Sequence, residues 1–192
     1  MELDNHPAVR EYCDDDEEGW VRCRVLAFLD SAYYDDVYRE KDHYSSDAIE
    51  LVAEIDGQIV GLLDIEYNMS TSNAGMLWHL AVHPDFRRHG IARLLLEKAV
   101  KEARNVGLVQ LEAWTRDDGQ AEKWYLSQGF RKMQTYYHVY IDSDEVTPEI
   151  INSQIPQMKP TTVFAHYLGD DKSFLEQFKR VYCCSRYNLA ME

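Results

Sequence analysis

Residues 76–106, MLWHLAVHPDFRRHGIARLLLEKAVKEARNV, constrain this chain more than any other stretch. An apolar run over 76–82 ends at His83 and Pro84. A basic loop follows over 85–90, and a strongly periodic apolar pattern begins at Ile91. The order predicts a buried strand, a glycine turn and a helix N-terminus. The first N–H groups of a helix have no acceptor within it, and the macrodipole adds partial positive charge there. Gly90 permits a positive φ and close approach of a ligand to the backbone. Arg87 and Arg88 add full charges. The physical expectation is an anion site suited to a phosphate or pyrophosphate.

Arg87-Arg88-His89-Gly90-Ile91-Ala92 resembles the R/Q-x-x-G-x-G/A loop of the GNAT superfamily, the acetyl-CoA-dependent N-acetyltransferases. Its setting between an L-A-V-H-P strand and an amphipathic helix is the context that the motif requires. Downstream, AEKWYLSQGF over 121–130 is similar to the family's A-x-x-(aromatic)-Y-x-x-x-G-F segment. The two segments stand in the family's order and at its usual separation. The resemblance runs over about 48–140; it is loose before that and absent after about 141. It implies an α/β GNAT fold: a mixed, twisted sheet, V-shaped at its centre and flanked by helices. It also implies direct transfer from acetyl-CoA as co-substrate, with no metal and no covalent enzyme intermediate.

Size and charge fit such an enzyme. The chain has 192 residues, enough for one domain with a sizeable core. We read 1–192 as a single acetyltransferase domain, with a core over 5–141 and an extension over 142–192. Hydrophobic residues make up 45% and charged residues 28%, which places the chain among globular rather than disordered sequences. No apolar run approaches the roughly 20 residues that span a bilayer, and residues 1–10 lack the pattern of a signal peptide, so a cytoplasmic protein is expected. The net charge of −14 repels nucleic acid and anionic membranes and favours cationic partners. A surface made acidic for solubility reads the same way. Cys13, Cys23, Cys183 and Cys184 lack zinc-type spacing and read as reduced thiols.

In chain order, residues 5–13 predict a short strand and 17–30 a first helix. The tyrosine-rich and charged stretch 32–44 reads as a second helix or as a loop facing the acceptor. Strands are predicted over 48–55 and 58–66, joined through a hairpin turn at Asp56-Gly57. The helix opened at Ile91 runs to Val106 and stops at Gly107. A strand over 108–114, a short helix over 120–128 and a long strand over 130–141 follow. Beyond a polar stretch broken by Pro148, Pro156 and Pro160, residues 161–167 predict a strand antiparallel to 130–141. Apolar residues at 174, 175, 178, 181 and 182 fall at helical steps, so a closing helix is expected over 174–188, with its stripe against the core or in a dimer interface. A homodimer is expected on that account.

Acetyl transfer from a thioester to an amine requires a held coenzyme, a polarised carbonyl, a deprotonated amine and a protonated thiolate. For the first, the loop offers the backbone N–H groups of Arg88, His89, Gly90, Ile91 and Ala92, with the Arg87 and Arg88 side chains as helpers. The resemblance implies that Leu80, Ala81 and Val82 pair with the pantetheine arm like an added strand. It also implies that the N–H of Leu80 or a near neighbour polarises the acetyl carbonyl, and that Tyr125 protonates the thiolate. Asp118 falls where many relatives carry an asparagine that touches the coenzyme; it also suits an N-cap. The general base is open among His79, Glu112, Asp64 and Glu66. His79 lies on the central strand, and an imidazole suits a base at neutral pH. The expected function is acetylation of a primary amine of a small molecule or protein. The rival is a module that binds acyl-CoA without catalysis.

Overall fold

The computed structural model describes residues 6–191, so Asn5, at the start of the predicted first strand, lies outside the described residues. Eight strands form one mixed sheet among them, in the order β1-β2-β3-β4-β5-β8-β6-β7. The strands are β1 Ala8–Glu11, β2 Asp47–Ile55, β3 Gln58–Tyr67, β4 Ala74–Val82, β5 Gln110–Arg116, β6 Arg131–Ile141, β7 Val163–Tyr167 and β8 Arg180–Ala190. Helices α1 Glu17–Leu29, α2 Ile91–Asn105 and α3 Gly119–Ser127 accompany them. The mixed α/β architecture expected from the sequence is the one present.

The two halves of the sheet are built differently. Asp56 and Gly57, at φ 51° and 79°, turn the β2–β3 hairpin through the two left-handed residues that such a tight connection needs. Leu51, Leu63, Ile65 and Leu77 point from the sheet to one face, where they meet Ile91, Leu95, Ala99 and Ala103 of α2. That stripe recurs at three- to four-residue steps, so α2 buries one face and leaves Arg93 and Glu97 outside as an ion pair. The opposite face of β3 and β4 is covered by α1, through Trp20, Cys23 and Ala27 packed on Val52, Leu62 and Ala81.

The closing segment departs from expectation. Residues 174–188 do not form a helix. Lys172–Gln177 make a 3-10 turn, and β8 then runs antiparallel to both β5 and β6. The apolar steps at Phe174, Leu175 and Phe178 mimic a helix, and Leu175 and Phe178 do pack on Val139 and Ile141. From Arg180 onward the decisive fact is tertiary. β5 and β6 each offer an edge that needs hydrogen bonds, and an extended segment between them satisfies both at once. The stretch 32–44, left open between helix and loop, contains no helix.

An acid-sensitive knot starts α1. The Arg10 guanidinium grips Asp16 at 2.6 and 2.8 Å, and the Cys13 amide donates to the same carboxylate at 2.9 Å. These bonds hold Asp16 down at about 2, below the usual aspartate range. A carboxylate held low stabilises the fold above its unfolded value, and the contribution disappears as pH falls toward 2. Asp16→Asn is expected to cost about 1–2 kcal/mol at pH 7, shrinking toward zero near pH 2. Chemical denaturation at the two pH values measures both.

Candidate active site

The site begins with a register defect. β3 and β4 pair Asp64 with His79 and then Ile65 with Leu77, so Trp78 is an extra residue, a β-bulge. The bulge reverses which side chains face which layer. Leu77 faces the α2 side, and after the bulge Leu80 and Val82 do. His79 and Ala81 are therefore turned toward α1, with the His79 ring edge-on to Trp20 at 5.1 Å.

At the same point β4 leaves β5. The two run parallel and pair only from Ala74 with Gln110 to Leu77 with Ala113. Beyond Leu77 the strands splay. The His83 amide bonds Val60 on β3, so strand alternation points the amides of Leu80 and Val82 the other way, into the splay. These are backbone groups of a central strand with no β5 ladder to meet. They suit an extended ligand that pairs as a strand does.

The loop at the end of β4 supplies the second half. Arg88 has φ 65°, and Gly90, the residue before α2, has φ 80°. No side chain caps α2, and its first turn contains no acid. A Cβ placed on Gly90 would meet nothing within 4 Å, so the backbone there faces open space. The Gly90 carbonyl accepts from Leu94, while the amides of Ile91 and Ala92 begin the helix and lack i−4 acceptors within it. Ile91 is anchored in the core, which fixes the position of the helix end. An exposed, donor-rich and cationic helix end of this kind suits an anion.

The predicted helpers divide. The Arg88 side chain is exposed. The Arg87 guanidinium is instead held by the Ala27 carbonyl at 2.6 Å, with Nε 3.4 Å from the Val82 carbonyl, so it braces the end of β4 against α1. His89 Nδ1 lies 3.3 Å from the Phe86 carbonyl. Asp118 caps α3, accepting from the amides of Gln120 and Ala121 at 2.8 and 3.2 Å.

Tyr125 sits on α3, buried and stacked on Tyr187 at 5.4 Å, with Phe130 edge-on at 5.0 Å. Burial, then the neighbouring phenols of Tyr33 and Tyr187, push its own phenol above the ordinary range. Its hydroxyl keeps its proton across the neutral range and can donate a hydrogen bond. Tyr33, from the loop after α1, accepts the Arg116 amide at the end of β5 at 2.8 Å.

The candidate bases also divide. His79 is buried, and its Nδ1 lies 3.3 Å from Asp64 Oδ2 and 3.2 Å from the Tyr44 hydroxyl. Its Nε2 lies 3.8 Å from Asp42. Asp64 is fully buried. Glu112 shares the α1-side face, but its carboxylate accepts from Trp114 Nε1 at 2.9 Å and lies 3.4 Å from Arg186. Glu66 accepts from Trp78 Nε1 and from the Ser45 and Ser46 amides, away from His79. The structure thus brings His79 and Asp64 together and leaves Glu112 and Glu66 in other bonds. Sequence reasoning missed Lys41, Tyr44 and Tyr33. The available signal was Lys41 itself, one lysine in an acidic and aromatic stretch.

The comparisons give the family and the fold. The model of the Acetyltransferase (GNAT) family matches residues 5–130. An acetyltransferase of Pectobacterium atrosepticum is 32% identical over 117 residues, covering 59% of this chain and 79% of that protein. The Escherichia coli ribosomal-protein-S18-alanine N-acetyltransferase superposes with a TM-score of 0.60 at 13% identity, covering 97% of this chain and 95% of that one. A putative acetyltransferase of Salmonella typhimurium, solved with its cofactor acetyl-CoA, gives 0.61 at 14% identity over 98% and 95%. At these identities the two structures speak for the fold.

Replacing the α3 cap by Asp118→Ala is expected to cost about 1 kcal/mol of stability. A lowered thermal midpoint with an unchanged affinity for coenzyme A would match a capping role; lost affinity at an unchanged midpoint would not.

Proposed function

This chain belongs to the GNAT acetyltransferase family, and from that membership we propose that it moves the acetyl group of acetyl-CoA directly onto a primary amine. The observation that carries the reading is the splay of β4 from β5 beyond Leu77, opening beside an uncapped helix N-terminus. The splay receives the pantetheine arm along Leu80, Ala81 and Val82. The loop Arg88–Ala92 takes the pyrophosphate on backbone N–H groups, and Arg88 adds a side-chain charge.

Chemistry then follows from the neighbours of the splay. The Leu80 amide, aimed into it, is placed to polarise the acetyl carbonyl as negative charge develops on oxygen. His79 is the base, since the bulge sets it on the α1 side of β4, two residues past the last β4–β5 pair. An incoming ammonium loses one proton to His79, and the free amine attacks the carbonyl carbon. As the C–S bond breaks, Tyr125 gives its proton to the sulfur. The proton leaving the new amide nitrogen restores the phenol. Net, the ammonium and the thioester become an amide, a thiol and one released proton. The acidic surface, with a net charge of −14, favours cationic acceptors.

Titration calorimetry with acetyl-CoA is expected to give binding to the native protein and none to Gly90→Trp, whose indole would fill the open space at the loop. Tyr125→Phe is expected to keep that binding and to lose about 10²-fold in kcat. A Tyr125→Phe enzyme with native kcat would remove the phenol from the mechanism, and a folded native protein that binds no acetyl-CoA would end the reading.

A further inference from the structure

The chamber behind β4 contains a cation that removal of one proton does not by itself require. Lys41 belongs to a loop without regular structure, yet its side chain is only 2% exposed. Its ammonium pairs with Glu50 and lies 3.6 Å from Asp64 Oδ2. The rings of Tyr12, Trp20 and Tyr44 surround it at 4.8, 5.3 and 4.9 Å, a cation–π enclosure. Burying an ammonium so thoroughly is costly unless carboxylates compensate it, and the reverse holds for Asp64, whose side chain is 0% exposed. Each charge is the condition for the other.

The Asp64 carboxylate is held asymmetrically. Oδ2 receives the Tyr44 hydroxyl at 3.2 Å, faces His79 Nδ1 at 3.3 Å and lies nearest Lys41. Oδ1, equally buried, has no hydrogen-bond partner among the described residues. An ionised carboxylate only accepts hydrogen bonds. Nδ1 faces Oδ2 and the Tyr44 oxygen, whose own hydrogen goes to Oδ2, so a proton on Nδ1 meets acceptors only and the lone pair falls to Nε2. Nε2 lies 3.8 Å from the Asp42 carboxylate, beyond a hydrogen bond, and that side chain is about half exposed, so the accepting nitrogen lies on the side from which a proton can leave for solvent.

We propose that Lys41 is a positioning residue for the base. It keeps Asp64 a carboxylate and through it fixes His79 as the Nδ1–H tautomer, with Nε2 open to the proton of the acceptor amine. The inference rests on the reading of His79 as the base. It differs from a purely structural anchor, which would tie the loop to β2 and β3 and leave the tautomer of His79 indifferent to Lys41.

The test is nitrogen-15 spectroscopy of the histidine rings, with His79→Asn to assign the signal, alongside kinetics. Native His79 is expected to carry its proton on Nδ1. In Lys41→Gln the signal is expected to move toward a mixture of tautomers, and kcat to fall at least about tenfold at an unchanged affinity for acetyl-CoA. Lys41→Arg is expected to restore both. A native ring protonated on Nε2, a Lys41→Gln ring with the native tautomer, or a Lys41→Gln kcat within twofold of native overturns the proposal. The native tautomer is read without any substitution, so a poorly folding variant does not protect the idea. It is also read without turnover. Failure of the native protein to transfer acetyl groups would instead count against the proposed function.

Discussion

The constraint on which the rest depends is that β4 cannot pair with β5 along its whole length. One extra residue, Trp78, is inserted opposite β3, and the parallel ladder to β5 ends at Leu77. A bulge increases local twist and re-aims the side chains beyond it. Here it does two things at once. It sends the amides of Leu80 and Val82 toward an edge without a partner strand, and it turns His79 into the layer under α1. A fully paired sheet would have satisfied those amides within the fold and left nothing for a ligand.

The surrounding elements hold this defect open. α2 packs across β2, β3 and β4 from one side and fixes the donor-rich loop through the buried Ile91. α1 packs from the other, and Arg87 bonds its last turn to the end of β4. The loop after α1 is tied down at several points: Arg24 bonds the Asp36 carbonyl, Arg116 the Ala32 carbonyl, and Arg180 grips Asp35 at 2.6 and 2.8 Å. Arg180 lies beyond the span matched by the family model, so the C-terminal strand braces the loop beside the site as well as closing the sheet.

Much of this was legible in the sequence because it is local. The 76–106 pattern specifies strand, turn and helix within one stretch, and Asp56-Gly57 encodes its hairpin in two residues. The loop over 87–92 and Tyr125 stand out by motif, and Asp118 by its capping position. What was not legible is long-range. The 174–188 stretch satisfies helical spacing, and only the paired edges of β5 and β6 decide for a strand. The parity change at Trp78 is invisible to periodicity, because it depends on the register against β3. Lys41 and Asp64 are 23 positions apart, and nothing local marks them as one buried pair. In each case the information lies in a partner that folding brings close.

The most direct measurement is amide hydrogen exchange at Leu80 and Val82, with and without coenzyme A. If the splay receives the pantetheine arm as a strand would, the ligand slows exchange at these two amides and leaves the β3-bonded amide of His83 unchanged. Tight binding of coenzyme A with exchange at Leu80 and Val82 unaltered would place the ligand elsewhere and contradict the account.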